Sequence, residues 1–109
     1  MAYAQGSVIL APATFKSGVR PYLIVSNRNQ PFYGDRYTIA AITSTDRETA
    51  VELTATSLTE GELKTYPSYV SPWLLHVFPD QEIRKRVAQV DETTMRSVTD
   101  TVHELTRVI

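Results

Sequence analysis

Two short stretches of the chain hold the main candidates for chemistry, because both lie at strand ends, where loops gather and function usually sits. The run "GVRPYLIVSN" at 18–27 puts Arg20 and Pro21 at the mouth of an unbroken apolar segment. The run "AITST" closes a second apolar segment with Thr43, Ser44 and Thr45. A guanidinium keeps its charge at any working pH, and its forked donors suit two oxygens of a phosphate. Hydroxyls can donate to the same group or orient an attacking one. Taken singly, neither stretch is specific: an arginine before a strand is often a surface charge, and threonine suits strands for packing reasons.

Other chemistries have less material. The chain has no cysteine and only two histidines, His76 and His103. A metal site would therefore depend on carboxylates for most of its ligands, and none is expected. A paired-histidine ribonuclease mechanism has too few groups within one chain. His103 is expected on a helix surface, and His76 reads as a histidine tolerated in a strand. No glycine-rich phosphate loop is present. With 11 basic and 12 acidic residues the net charge is -1, so any polyanion-binding surface has to be local. Lys16, Arg20 and Arg28 form one basic segment and "IRKR" at 83–86 another, whereas Asp46 to Glu62 is mostly acidic.

The elements that must position these groups are short. A chain of 109 residues, 42% hydrophobic, suits a single domain spanning 1–109 with a small core. Its apolar runs fall far below the roughly 18 residues of a membrane span. The opening "MAYAQGS" lacks the basic start and long apolar stretch of a signal peptide. A soluble, cytoplasmic protein is the expectation, with no membrane partner.

Strands are predicted at 7–12 ("SVILAP"), 21–27 ("PYLIVSN") and 36–44 ("RYTIAAITS"). "TAVELTA" alternates as a half-buried strand, and "SLTEGELKTY" reads as a turn region around Gly61. "PSYVSPWLLHVF" is a long strand bent at Ser71–Pro72. "PDQE" turns the chain, and "IRKRVAQV" returns as its hairpin partner. A helix then starts after Asp91 as N-cap, with Glu92 in its first turn. Met95, Val98, Val102, Leu105 and Ile109 form one apolar stripe at helical spacing. The fold class that follows is mainly β with a C-terminal helix: a small, strongly bent antiparallel barrel with the helix packed on it.

Several of these stretches together resemble the MazF/PemK family of toxin endoribonucleases. "GSVILAP" is similar to the family's first strand, and "VRPYLIVSN" to its arginine-proline followed by a strand ending in Ser-Asn. "YTIAAITS" is similar to its third strand ending in Ile-Thr. "PSYVSPWLLHVF", "KRVAQVD" and the closing amphipathic helix follow in the family's order. The resemblance covers most of the chain. The loop "ATFKSG" departs from it, being shorter and less basic than is common in the family, where that loop covers the RNA.

The resemblance implies the SH3-like barrel of the MazF/PemK, CcdB-like toxin fold, and a toxin of a type II toxin–antitoxin system. It implies a sequence-specific endoribonuclease that needs no metal or cofactor. The RNA 2′-hydroxyl would attack the adjacent phosphate, leaving a 2′,3′-cyclic phosphate and a 5′-hydroxyl. Arg20 matches the family's catalytic arginine, which would stabilise the phosphoryl charge and could pass a proton to the leaving oxygen. Thr43 matches the catalytic threonine. Lys16, Arg28, Ser44 and Thr45 are the expected substrate-binding neighbours. The implied partners are single-stranded RNA, a cognate antitoxin with an acidic tail, and a second copy of the chain in a homodimer. Two other readings stay open at this point: a non-catalytic RNA- or protein-binding module of the same fold, and a toxin that poisons DNA gyrase.

Overall fold

A computed structural model describes residues 2–14 and 16–109. Seven strands form one antiparallel sheet: β1 Ser7–Pro12, β2 Val19–Ile24, β3 Arg36–Thr43, β4 Val51–Leu53, β5 Leu58–Gly61, β6 Ser68–Pro79 and β7 Lys85–Val90. Their order across the sheet is β4-β6-β3-β2-β1-β7-β5. The two edge strands, β4 and β5, are consecutive in the chain and joined only by Thr54 and a 3-10 turn, Ala55–Ser57. Two edges tied by so short a link must lie near each other, so the sheet curls into a nearly closed barrel.

The barrel interior confirms the curl. Val8, Leu23, Ala40, Ile42, Leu53, Val70, Ala88 and Val90 pack together from six strands, with Met95 and Val98 of the helix α1, Glu92–Thr106. Successive strand residues face opposite sides, so their neighbours build a second cluster outside the barrel. It comprises Ile9, Ala11, Tyr22, Ile24, Tyr37, Ile39 and Ile83, covered by Tyr3, Tyr33 and Phe78. Strands β1 to β3 are thus buried on both faces, which is why "YLI" in β2 runs apolar without alternation. Burying each such side chain is worth about 1.5–3 kcal/mol, so the middle of β2 is held firmly.

The expected order of elements stands, with several corrections. The second strand lies at Val19–Ile24 rather than 21–27, and so includes Arg20; the third ends at Thr43 rather than Ser44. The region around Gly61 contains a strand, β5, not only a turn. It pairs with β7 at a spacing only glycine permits. Gly61 has φ of +72°, and a Cβ there would collide with the Val87 carbonyl oxygen.

β7 is also not the hairpin partner of β6. It pairs with β1 and β5. After β6 a 3-10 turn, Asp80–Glu82, leads into Ile83, which packs in the outer cluster, and Arg84 donates its N–H to Leu10 O at 2.8 Å. These contacts carry the chain across to the β1 edge instead of folding it back.

The predicted bend in β6 is a bulge. Its register on β3 shifts between Ala40–Leu75 and Ala41–Ser71, leaving Pro72, Trp73 and Leu74 outside the ladder. On α1, Asp91 caps the first turn by accepting from the Thr94 N–H at 2.8 Å. Only Met95 and Val98 of the apolar stripe are buried; Val102 is half-buried and Leu105 exposed. Ile109 lies beyond the helix end and is fully exposed.

Candidate functional site at the barrel mouth

The ends of β1, β3 and β5 and the starts of β2, β6 and β7 meet at one mouth of the barrel. A cleft of about 720 Å³ opens there. Its geometry starts from β2 and β3, whose ladder pairs Ile24 with Ile39, Leu23 with Ala40 and Tyr22 with Ala41, and then stops. Continuing that register by two residues brings Arg20 level with Thr43. The strands splay there, and Arg20, Pro21, Ile42, Thr43 and Ser44 line the cleft between them. Arg20 is half-buried, on a strand whose next residues, Tyr22 to Ile24, are fully packed. Pro21 fixes the backbone between the two.

Thr43 has a defined hydroxyl geometry. Its Oγ1 accepts the Thr45 N–H at 3.1 Å, which leaves the hydroxyl hydrogen to donate elsewhere. Across β3 it faces Tyr69 on β6. The Tyr69 phenol is pushed above its ordinary pKa by desolvation, and further by the Asp46 and Glu52 carboxylates. That flank of Thr43 is anionic, whereas the cleft itself is cationic.

The opposite wall comes from β7 and from the segment after β5. Lys85 and Arg86 reach in from β7; Glu62, Leu63, Lys64 and Thr65 come from the β5–β6 connection, with Ser68 behind them. β1 lies between the walls: Arg20 is level with Ala11, and Lys85 with Leu10. The backbones of β2 and β7 are therefore two strand spacings apart, about 10 Å. Arg86 is already engaged, its Nη2 donating to Glu60 Oε2 at 2.8 Å and to Gln89 at 3.3 Å. Among the described residues Arg20, Lys64 and Lys85 form no ion pair.

Of the residues expected from the sequence, Arg20, Thr43 and Ser44 come together in the cleft. Thr45 sits beside it, its N–H holding Thr43. Lys16 is exposed on the β1–β2 loop outside the cleft lining, and Phe15 of that loop lies outside the described residues. Arg28 is exposed on the loop after β2, at the far end of the strand from Arg20, so this chain does not bring Arg28 and Arg20 into one groove.

His76 is half-buried on β6 against Phe78. His103 is exposed in the last turn of α1. Neither lines the cleft. Among the described residues no group of three or more His, Cys, Asp or Glu side chains could hold a metal ion, and no helix is long and apolar enough to cross a membrane.

The basic cluster at 83–86 stands out in the sequence but carries no sign of belonging to the site, and Lys64 and Glu62 do not stand out at all. The run "IRKR" was the available signal for Lys85 and Arg86. Nothing local marks 62–65, which reach the cleft only because β5 closes the barrel against β7.

Fold and cleft define a class: a small antiparallel barrel whose mouth is lined, among the described residues, by three cations outside any ion pair and by the Thr43 hydroxyl. Within that class the chain belongs to the PemK-like, MazF-like toxin family of type II toxin–antitoxin systems, whose family model matches residues 4–106. The fold is similar to that of an endoribonuclease solved in complex with its cognate antitoxin from a mycobacterial species. That match has a TM-score of 0.74 at 18% identity, covering 94% of this chain and 91% of that one. It is also similar to a chain of a MazE–MazF crystal structure from Deinococcus radiodurans, with a TM-score of 0.76 at 15% identity and 96% of each chain covered. No match was found among curated protein sequences.

Proposed function

We propose that this chain is the toxin of a type II toxin–antitoxin pair and acts as a metal-independent endoribonuclease on single-stranded RNA. The observation that carries the reading is that Arg20 and Thr43, at the ends of β2 and β3 just past their last ladder pair, line one cationic cleft. An RNA phosphate seated there meets the Arg20 fork on one side and the Thr43 hydroxyl on the other. As the 2′-oxygen closes on phosphorus, charge grows on the phosphoryl oxygens. Donors already held in place stabilise that charge without reorganising. Bond formation to the 2′-oxygen and loss of the 5′-oxygen give a 2′,3′-cyclic phosphate and a 5′-hydroxyl. Ser44 and Lys85 hold the flanking backbone.

The similarity to endoribonuclease and antitoxin-bound structures supports the same reading. The partner that restrains the toxin is an antitoxin whose acidic segment occupies the cleft in place of RNA. The working unit is a homodimer, and the exposed Trp73, Leu74, Leu75 and Val77 of β6 supply apolar surface for a second copy to cover.

The test is incubation of long single-stranded RNA with the purified protein in EDTA, with end groups read by mass spectrometry. Cleavage leaving cyclic phosphates, lost in Arg20→Ala, is expected. Intact RNA with the wild-type protein, or undiminished cleavage by Arg20→Ala, would overturn the reading. Sedimentation at micromolar concentration checks the dimer, which a purely monomeric active protein would exclude.

A further inference from the structure

Attack by a 2′-hydroxyl has to release a proton, and neither Arg20 nor Thr43 is a base that could take it. Guanidinium and ammonium groups have donors only. Neither histidine lines the cleft. Serine and threonine hydroxyls are not bases of useful strength. One carboxylate remains among the cleft-lining residues, that of Glu62.

Glu62 is exposed, yet both its neighbours are anchored. Gly61 pairs with Ala88 and is pressed so closely on β7 that no side chain fits. Leu63 packs against the barrel core, and its N–H donates to the Tyr66 hydroxyl at 2.8 Å. The Ser68 hydroxyl ties down the Thr65 carbonyl at 2.7 Å. The backbone that presents the carboxylate is thus held at the same cleft that Arg20 and Thr43 line. A carboxylate with no task in a cleft meant for a polyanion would only weaken binding, since like charges repel.

Resting on the ribonuclease reading above, we propose that Glu62 is the general base of the cleavage step. Its carboxylate takes the 2′-hydroxyl proton as the 2′-oxygen–phosphorus bond forms and the phosphorus–5′-oxygen bond breaks. The leaving 5′-oxygen takes a proton from water, and Glu62 returns its own to water. Atoms and charges balance without a further reactant.

The two roles open to Glu62 predict opposite signs. The wild-type cleavage site is first mapped on long RNA, and an oligonucleotide spanning it becomes the substrate. A general base contributes about 100-fold or more, so Glu62→Gln should lower kcat by at least that factor. KM should stay the same or fall. The acid limb of the pH–rate profile should disappear, and Glu62→Asp should recover part of the rate. An oligonucleotide with a 2′-deoxy sugar at the cleavage site should bind Glu62→Gln at least as tightly as wild type. Cleavage by Glu62→Gln at or above the wild-type rate would overturn the proposal, because that is what a merely repulsive surface anion gives. Arg20→Ala run in parallel separates the two levels. If it is inactive while Glu62→Gln is fully active, the ribonuclease reading stands and the base assignment falls. If the wild type cuts no RNA, both fall together.

Discussion

Arg20 and Thr43 line one cleft, each two residues past Tyr22–Ala41, the last pair of the β2–β3 ladder. The packed part of the sheet therefore sets their separation, and the open part leaves both side chains accessible. The Thr43 Oγ1 has two tasks in this arrangement. It accepts the Thr45 N–H, closing the turn after β3, and it keeps a hydrogen for the cleft.

Replacing Thr43 should separate those tasks. Thr43→Val preserves shape and strand preference and removes both hydrogen bonds. The loss of the turn bond should cost about 0.5–1.5 kcal/mol of stability. The loss of a donor to a charged transition state should lower kcat about 100-fold. Thr43→Ser keeps the hydroxyl and should retain most of both. Urea melts beside single-turnover cleavage measure the two effects. Equal rates for the valine and serine variants would reduce Thr43 to a turn residue.

Arg20→Lys tests the fork itself. A lysine keeps the charge at the mouth of β2 but offers a compact point charge rather than planar paired donors. Cleavage should remain close to that of Arg20→Ala, and the melting temperature should stay near wild type, since the guanidinium is not part of either core cluster. Full activity with lysine would show that charge alone is sufficient.

Gly61 governs the wall opposite. A Cβ there meets the Val87 carbonyl oxygen, with Ala88 Cα at 2.8 Å, and its φ of +72° is itself unfavourable for alanine. Gly61→Ala should cost more than about 1 kcal/mol and loosen the segment that carries Glu62 and Lys64. Differential scanning calorimetry gives the first effect, and a lower kcat in the folded fraction the second.

The contrast between these positions shows what a sequence makes legible. β1, the cap at Asp91 and the bend at Pro72 were readable because their causes are local: an apolar run ended by proline, a carboxylate before a helical stripe, a missing backbone donor. Arg20 and Thr43 were readable as types, but their pairing depended on a register that only the assembled sheet fixes. Gly61 looked like a turn because its reason for being glycine is the approach of β7, 27 positions further along in the case of Ala88. Glu62 and Lys64 had no local mark for the same reason. Arg28 looked like a neighbour of Arg20 in sequence, but a strand separates them, running from one end of the barrel toward the other.

Acid should loosen the helix through Asp91. Hydrogen bonds from Thr94, foremost among the causes, hold its carboxyl below the ordinary carboxylate range. A folded-state pKa below the unfolded value, about 3.9, gives a stabilisation present above that value and lost as pH falls through the folded one. Asp91→Asn keeps a good cap and should show little change at neutral pH, but it should lack this part of the acid destabilisation. Asp91→Ala should lose about 1 kcal/mol at neutral pH. Urea midpoints between pH 2 and pH 7 (an experimental range of about five units) test the sign, and a parallel pH dependence in wild type and Asp91→Asn would contradict it.

Salt should distinguish the cations of the cleft from one another. A cation that meets a nucleic-acid phosphate releases a condensed counterion, and for single strands each such contact adds about 0.7 to the slope of log K against log salt. Lys64 and Lys85 have no ion-pair partner among the described residues, so each is available for a phosphate. Arg86 is held by Glu60 at 2.8 Å, with both side chains partly open to solvent, so its charge is largely spent within the protein. Lys64→Ala and Lys85→Ala should therefore each flatten the slope by about 0.7 and raise KM more than they lower kcat. Arg86→Ala should change the slope less. Glu60→Gln should release Arg86 and steepen the slope, tightening RNA binding at low salt. Fluorescence anisotropy over a salt series, with an oligonucleotide blocked by a 2′-deoxy sugar at the cleavage site, reads all four variants without turnover. An unchanged slope in the Lys64 and Lys85 variants would place the RNA backbone elsewhere, and a weaker complex in Glu60→Gln would show that the Glu60–Arg86 pair shapes the cleft rather than masking a charge.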